Sequence, residues 1–577
     1  MKSLSIQQLS DGLYKGISRF PLAILSAIQF TFLVIYGIET DIDPGIWYLR
    51  GVHGAQLGIP LFIALTFFAE SKNYNPIKKI GVKFGGIALL LLYLLTLPET
   101  LTFINFSRFV LLTLFAHLLV FIAPSLHKGY ELHFWVLAKE IILTFIECVF
   151  YAFVIGFGIF VAISAVHFLF DININNKRYA EVMSFCLIFL TTIFFAGRMQ
   201  GVNSKQNMVF DYPEILKNFT QFILIPLVLL YLIILYIYGG QILMNQDWPK
   251  GWVSYLSIGF SVLGIVSIIL IYPVRNDENN KWIPLFNKGF LYTLFPIIFL
   301  FCAAIWRRIS EYGITENRYY LIALGVWLFF ISVYTLIKRD HFIKMIPMSL
   351  SVVCILSAFG PLSAFNVSKN SQLERLNDYA TSNNWLDEDG YWDTSNEKKT
   401  PKEDVDQSRS IIKYLIKNHG YASIQPYLKD SIPDILQGVD NKYAQSRTIL
   451  QEMKLIQTSD DLKENRLNFY TTHQGVDIKG YSKYFTKEAQ YLKRNGDKAI
   501  SISKTDPVIN LFIENGATKL GTLIIGDQSY EIPFPDENEM IYKKKDFMMV
   551  YKSVNGIKNE EQNTTTLTAV TFTLFIN

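Results

Sequence analysis

At 577 residues, 51% of them hydrophobic, and with a formal net charge of +4, the chain is too long for a single core and lacks the basic excess of a nucleic-acid-binding protein. The charge is split along its length. Residues 1–366 hold 26 Lys and Arg against 19 Asp and Glu, whereas residues 367–577 hold 27 against 30. Cys148, Cys186, Cys302 and Cys354 all sit in apolar runs and no CxxC pair exists, which excludes a disulfide framework and a thiolate metal centre.

Eleven runs qualify as membrane spans, at residues 20–36, 51–69, 81–97, 109–123, 141–170, 182–196, 219–243, 251–272, 289–306, 319–337 and 345–365. A helix crosses the hydrocarbon layer with about 20 apolar residues, because it satisfies its own backbone hydrogen bonds there. The first run follows Lys15 and Arg19 like a signal peptide, but ten more runs behind it favour an uncleaved first span. Helices of a soluble core keep a polar face, and these runs are apolar all round. The expected fold is a polytopic α-helical membrane protein of about 11 transmembrane helices with a C-terminal soluble α+β, mostly β-rich domain. Its expected divisions are a transmembrane helical domain (1–366), a polar linker with short helices (367–467) and a β-rich soluble domain (468–577). With the N-terminus inside, 18 Lys and Arg fall on inner segments and 8 on outer loops. That bias predicts a cytoplasmic N-terminus and, after eleven crossings, an extracytoplasmic tail.

In chain order, the first polar candidates are Asp41 and Asp43, a weak acidic pair in the first outer loop. Membrane transferases that use lipid-linked donors carry acidic residues at such a place, although a short solvated loop accounts for the pair equally. His117, Glu147 and His167 are the ionisable residues deepest in the apolar runs, where charge is costly and functional by default. Glu147 and His167 lie about 30 Å apart along one helix and cannot share a site. His117 of the neighbouring span is the expected partner if Glu147 carries a proton or ion; the alternative is a neutral Glu147 bonded to another helix. Ala152, Gly156, Gly158 and Ala162 give the same span a small-residue stripe for close packing. His127 and His133 have no metal-ligand spacing, and no HExxH, GxSxG or P-loop pattern occurs, so no cofactor, metal or catalytic residue is expected.

The most unusual stretch is 306–320. Arg307, Arg308 and Glu311 share a helix end, Gly313 breaks the helix, and Thr315 suits the N-cap of the next one. Glu316 then lies in the first turn, followed by Asn317 and Arg318. This is either an interfacial turn whose arginines reach headgroups, or an outer-face patch for phosphate or carboxylate.

In the tail, a short helix is expected over 371–379, an acidic loop over 382–406, and a helix over 405–418 with Ile411, Ile412, Leu415 and Ile416 on one side and Gly420 beyond. Short strands follow at 499–503, 508–514, 520–525, 531–534, 548–551 and 566–575, with Gly526-Asp527-Gln528-Ser529 as a hairpin turn. A sandwich is the expected arrangement.

Tyr312-Gly313-Ile314-Thr315-Glu316-Asn317-Arg318-Tyr319-Tyr320, and Gly360-Pro361-Leu362-Ser363-Ala364-Phe365-Asn366-Val367-Ser368 with Ser371-Gln372 and Arg375-Leu376 behind it, resemble a known family. It is the bacterial membrane proteins catalogued as domain of unknown function 4153; Arg19-Phe20-Pro21-Leu22 and Gly251-Trp252 are similar too. The resemblance implies a multi-pass protein of the bacterial inner membrane and brings no reaction, ligand or catalytic residue. Three functions stay open: an envelope anchor, sensor or scaffold; an ion- or proton-coupled transporter or channel; and a lipid-linked-donor transferase. The expected partners are the lipid bilayer, an envelope protein, and an anionic lipid or ligand.

Overall fold

The computed structural model describes residues 6–40, 45–98, 102–126, 131–199, 201–202, 212–245, 252–275, 282–338, 343–392, 401–436, 442–453, 455, 465–470, 483–490, 498–503, 509–513, 520–533, 541–559 and 564–576. The chain forms two compact units: 1–391 with 402–429, and 392–401 with 430–577.

In the first unit, α1 (Ile6–Arg19) precedes α2 (Pro21–Glu39), α3 (Gly45–Ser71), α4 (Pro76–Leu95), α5 (Phe103–Ile122) and the long α6 (Glu131–Phe170). Then α7 (Lys177–Ser184) and α8 (Thr191–Arg198) join through a π-helical stretch, Phe185–Leu190, into one rod. A second such stretch, Thr220–Leu224, joins α9 (Glu214–Phe219) to α10 (Ile225–Asn245). The remaining helices are α11 (Trp252–Ile271), α12 (Trp282–Tyr312), α13 (Glu316–Lys338), α14 (Met345–Ala358), α15 (Ala364–Ser382) and α16 (Lys402–His419). Among the described residues, nine helical segments are long and apolar enough to cross a membrane. Two more of the eleven expected spans are helical: α4, with Lys78, Lys79 and Lys83 in its first eight residues, and the short α14.

Polar contacts sort the helix ends into two layers. In one, Arg19 clamps both oxygens of Glu70 at 2.6 and 2.7 Å and donates to the Met199 carbonyl, Lys72 donates to the Leu126 carbonyl, and Glu131 accepts from the Lys344 amide. In the other, Arg50 reaches the Leu97 carbonyl, Arg178 pairs with Glu39, and Arg108 donates to the Ala358 carbonyl. The start of α2 therefore belongs to one layer and the end of α14 to the other. Between the layers lie two apolar cores. One gathers residues of α2, α3, α5, α6 and α8, and the other gathers α10 to α14 with Phe134 and Trp135 of α6. Of the expected small-residue stripe, Ala152 and Gly156 are buried, and a Cβ on Gly156 would meet Met183 and Cys186; Gly158 faces open space.

The expected last span, 345–365, is not one helix. It breaks after Ala358, where Gly360 takes φ +82° and Pro361 cannot continue the ladder, and α15 restarts behind the Ser363 cap. At 14 residues α14 rises only about 21 Å. The helix expected over 371–379 is thus a 19-residue α15.

Among the described residues, the second unit holds two short helices, α17 (Ile432–Ile435) and α18 (Lys442–Glu452), and nine strands. These are β1 (Asn465–Tyr470), β2 (Lys483–Gln490), β3 (Lys498–Ser503), β4 (Ile509–Ile513), β5 (Gly521–Ile525), β6 (Gln528–Ile532), β7 (Ile541–Lys543), β8 (Phe547–Asn559) and β9 (Thr564–Ile576). Two antiparallel sheets result, ordered β1-β8-β9-β2 with β7 on β8, and β3-β4-β5-β6. Side chains from both sheets share one core, including Leu511, Leu523 and Ile532 from one and Tyr551, Phe572 and Leu574 from the other. The expected hairpin turn is present, with Gly526 and Asp527 between β5 and β6. Three strands fall outside the sequence expectation: β1 and β2, rich in polar residues, and the three-residue β7.

Candidate functional site

The α12–α13 turn is held by side chains of α15 and of α13 itself. Its Gly313 adopts φ +68° and is buried, a conformation strained for any residue with a Cβ. The three turn residues leave backbone groups that neither helix can satisfy. Those groups are met by side chains. From α15, Ser371 Oγ accepts from the Ile314 amide at 2.9 Å, Gln372 Nε2 donates to the carbonyls of Tyr312 and Ile314 at 3.0 Å each, and Arg375 Nη2 donates to the Glu311 carbonyl at 2.8 Å. From α13, Arg318 Nη1 donates to the Gly313 carbonyl at 2.7 Å and its guanidinium lies over the Tyr312 ring.

Beneath this clasp Glu316, the first residue of α13, is 2% exposed. A carboxylate so buried persists only when paired and hydrogen-bonded. Tyr414 of α16 donates its hydroxyl to Glu316 Oε2 at 2.6 Å, and His419 Nε2 stands 3.0 Å from Oε1. Burial, and then the bond to Glu316, push the Tyr414 hydroxyl far above the ordinary tyrosine range, so it stays a donor. The two sequence stretches that carry the resemblance, 312–320 and 360–376, therefore meet in one knot, and α16 closes it.

The other residues predicted from sequence are placed as follows. Arg307 and Asn317 are exposed, and neither Arg307 nor Arg308 forms an ion pair with a described residue. Glu311 stands beside the Tyr312 hydroxyl. Glu147 is held by Arg198, with 2.9 and 2.8 Å to its two oxygens, and accepts from Tyr151 at 2.7 Å. The structure thus gives Glu147 a cation from α8 in place of His117, because the end of α8 packs beside this part of α6. His117 Nδ1 is instead 2.7 Å from the Thr113 carbonyl on its own helix, and His167 Nδ1 is 2.5 Å from the Ile172 carbonyl just past the end of α6. Asp41, Asp43 and His127 lie outside the described residues.

Tyr414 and His419 are site residues that sequence reasoning missed. One signal was available: His419 continues the 411–415 spacing of the apolar side of α16, and a histidine on a buried stripe needs a partner. In α15 the buried stripe of Phe365, Ser368, Gln372, Leu376 and Ala380 mixes polar with apolar residues and so hides its length.

Concave surfaces are also formed elsewhere among the described residues. One, of about 640 Å³, lies on α12 between Phe299 and Trp306; another, of about 480 Å³, is in the second unit beside Tyr530 and Tyr542. Among the described residues no three His, Cys, Asp or Glu are placed to hold a metal ion.

A family model described as "Domain of unknown function (DUF4153)" matches residues 57–389, more than half of the chain, and the chain belongs to that family. It is also 25% identical over 232 residues to the uncharacterized protein PM1469 of Pasteurella multocida (strain Pm70), covering 39% of this chain and 38% of that relative. The chain thus spans under two-fifths of the length of the curated relative it matches. No solved structure matches.

Proposed function

We propose that this multi-pass membrane protein of the DUF4153 family is an anchor and scaffold of the bacterial inner membrane that presents its β-rich unit outside the cytoplasm, in a position to sense an envelope partner. The observation that carries this reading is the buried Glu316–Tyr414–His419 group. It ties a helix of the polar tail to the first residue of a membrane-spanning helix with a charge that water cannot reach. A joint of that kind holds α16 against α13, which suits an anchoring role for the first unit. The chain passes between the two units three times, after Tyr391, Pro401 and Lys429. The charge bias of the loops supports a cytoplasmic N-terminus, and the opposite layering of the start of α2 and the end of α14 supports a tail on the far side.

A transporter would use Glu147. Its carboxylate is neutralised by Arg198, and the pair is more than a third exposed on the surface of the bundle, which favours a structural role. Two experiments test the reading. A C-terminal phosphatase fusion is expected to be active, and a C-terminal fluorescent fusion that matures in the cytoplasm would overturn the orientation. In cells, His419→Ala is expected to reproduce the phenotype of deleting the chain while membrane abundance is kept, and Glu147→Gln is expected to be silent. Proton or ion flux in proteoliposomes that Glu147→Gln abolishes would replace the scaffold by a transporter.

A further inference from the structure

The stretch before the clasp carries a second feature. On the exposed side of α12, Phe299 and Trp306 project as two walls two turns apart, 75% and 73% exposed. Cys302 and Ala303, both small, floor the gap, and Arg307 and Ser310 stand at its outer lip. The notch measures about 640 Å³ and is lined from a single face of a helix long and apolar enough to cross a membrane, on the side turned away from the other helices. Arg307 lies about 12 Å along the helix axis from Phe299. That offset matches a phospholipid whose headgroup sits at the interface while the middle of its acyl chain lies deeper.

Charge decides which headgroup. Arg307 and Arg308 are without an ion pair among the described residues, and Arg308 and Arg375 stand close enough to Arg318 to repel it. Glu311, one turn further along α12, offsets one of these charges, and the buried carboxylate Glu316 is committed to Tyr414 and His419, so Arg307, Arg308, Arg318 and Arg375 still leave the rim positive. Guanidiniums grip phosphate oxygens in pairs, and Trp306 belongs to the aromatic belt at the same depth. A zwitterionic headgroup would add a further cation to an already positive rim.

We propose that the notch between Phe299 and Trp306 holds an acyl chain of one anionic glycerophospholipid, whose phosphate is bound by Arg307 and Arg308. The site needs only that α12 span the bilayer, and it holds whichever side the tail occupies. It would anchor the C-terminal end of α12 to the interface one turn before the clasp.

The test uses the full chain reconstituted in phosphatidylcholine vesicles containing a minor fraction of acyl-brominated phosphatidylglycerol or acyl-brominated phosphatidylcholine. Quenching of Trp306 is taken as the difference between the wild type and Trp306→Phe. Brominated phosphatidylglycerol is expected to occupy the notch preferentially, by about fivefold for each guanidinium at an anionic contact. Arg307→Ala with Arg308→Ala is expected to erase that preference, and Ala303→Leu to reduce quenching by both lipids. Equal quenching by the two lipids in the wild type would overturn the proposal, even if the variants do not insert. A preference surviving in the double arginine variant would also overturn it. Loss of the preference on adding inorganic phosphate would assign the arginines to a soluble anion instead of a lipid.

Discussion

Removing His419 asks whether the buried pair holds the tail helix to the membrane bundle. The Glu316 and His419 side chains are each 3% exposed and 3.0 Å apart, so solvent screens the interaction very little. His419→Ala leaves the Glu316 carboxylate buried with Tyr414 as its remaining donor. Breaking a buried pair from one side costs about 3–5 kcal/mol, chiefly because the surviving charge is stranded. At 1.4 kcal/mol per tenfold change, even the lower figure makes opening of α16 more than about a hundredfold more frequent. Amide hydrogen exchange along α16, measured on the full chain in detergent, reads this opening directly. Glu316→Gln combined with His419→Ala should recover much of the lost protection, since the stranded charge is then gone. Unchanged protection in His419→Ala, or a double variant as open as the single one, would refute the reasoning. In either case α16 would be held by its apolar stripe alone.

Three further outcomes follow from the same geometry. Gly313→Ala should loosen the turn by about 1–2 kcal/mol from its left-handed backbone alone, and by more because the new Cβ would meet Arg375 Cδ at 2.5 Å and Gln372 Nε2 at 2.8 Å; a lowered melting temperature checks this. Because Tyr414 is held neutral in the folded chain, its stabilising effect is complete below the ordinary tyrosine pKa of about 10 and is lost as pH rises beyond it. Protection of α16 should therefore fall above that pH, and Tyr414→Phe should remove that fall. At the opposite layer, Glu70→Ala should leave Arg19 with the Met199 carbonyl as its remaining bonded partner and cost about 1.5–3 kcal/mol, read as earlier thermal unfolding in detergent.

What the amino-acid order settles alone is what depends on local composition. A run of apolar residues is expelled from water whatever lies elsewhere in the chain, so helices are found at all eleven expected spans, and the polar tail with its strand-rich end could be read off directly. Breaks that rest on one residue were legible too, such as Gly313 between two helices and Gly526 in a hairpin. Pairings between distant residues were not. Glu316 and Tyr414 are 98 positions apart, and nothing within a window around either predicts the other. For the same reason Glu147 looked like a partner for His117 until the fold brought Arg198 beside it. Short polar strands such as β1 and β2 acquire their conformation from the ladders they join, Asn465–Tyr470 against β8 and Lys483–Gln490 against β9, and carry little pattern of their own. Solvent preference acts on each residue where it stands, whereas a buried charge is stable only with a specific neighbour, and that neighbour exists only once the chain has folded.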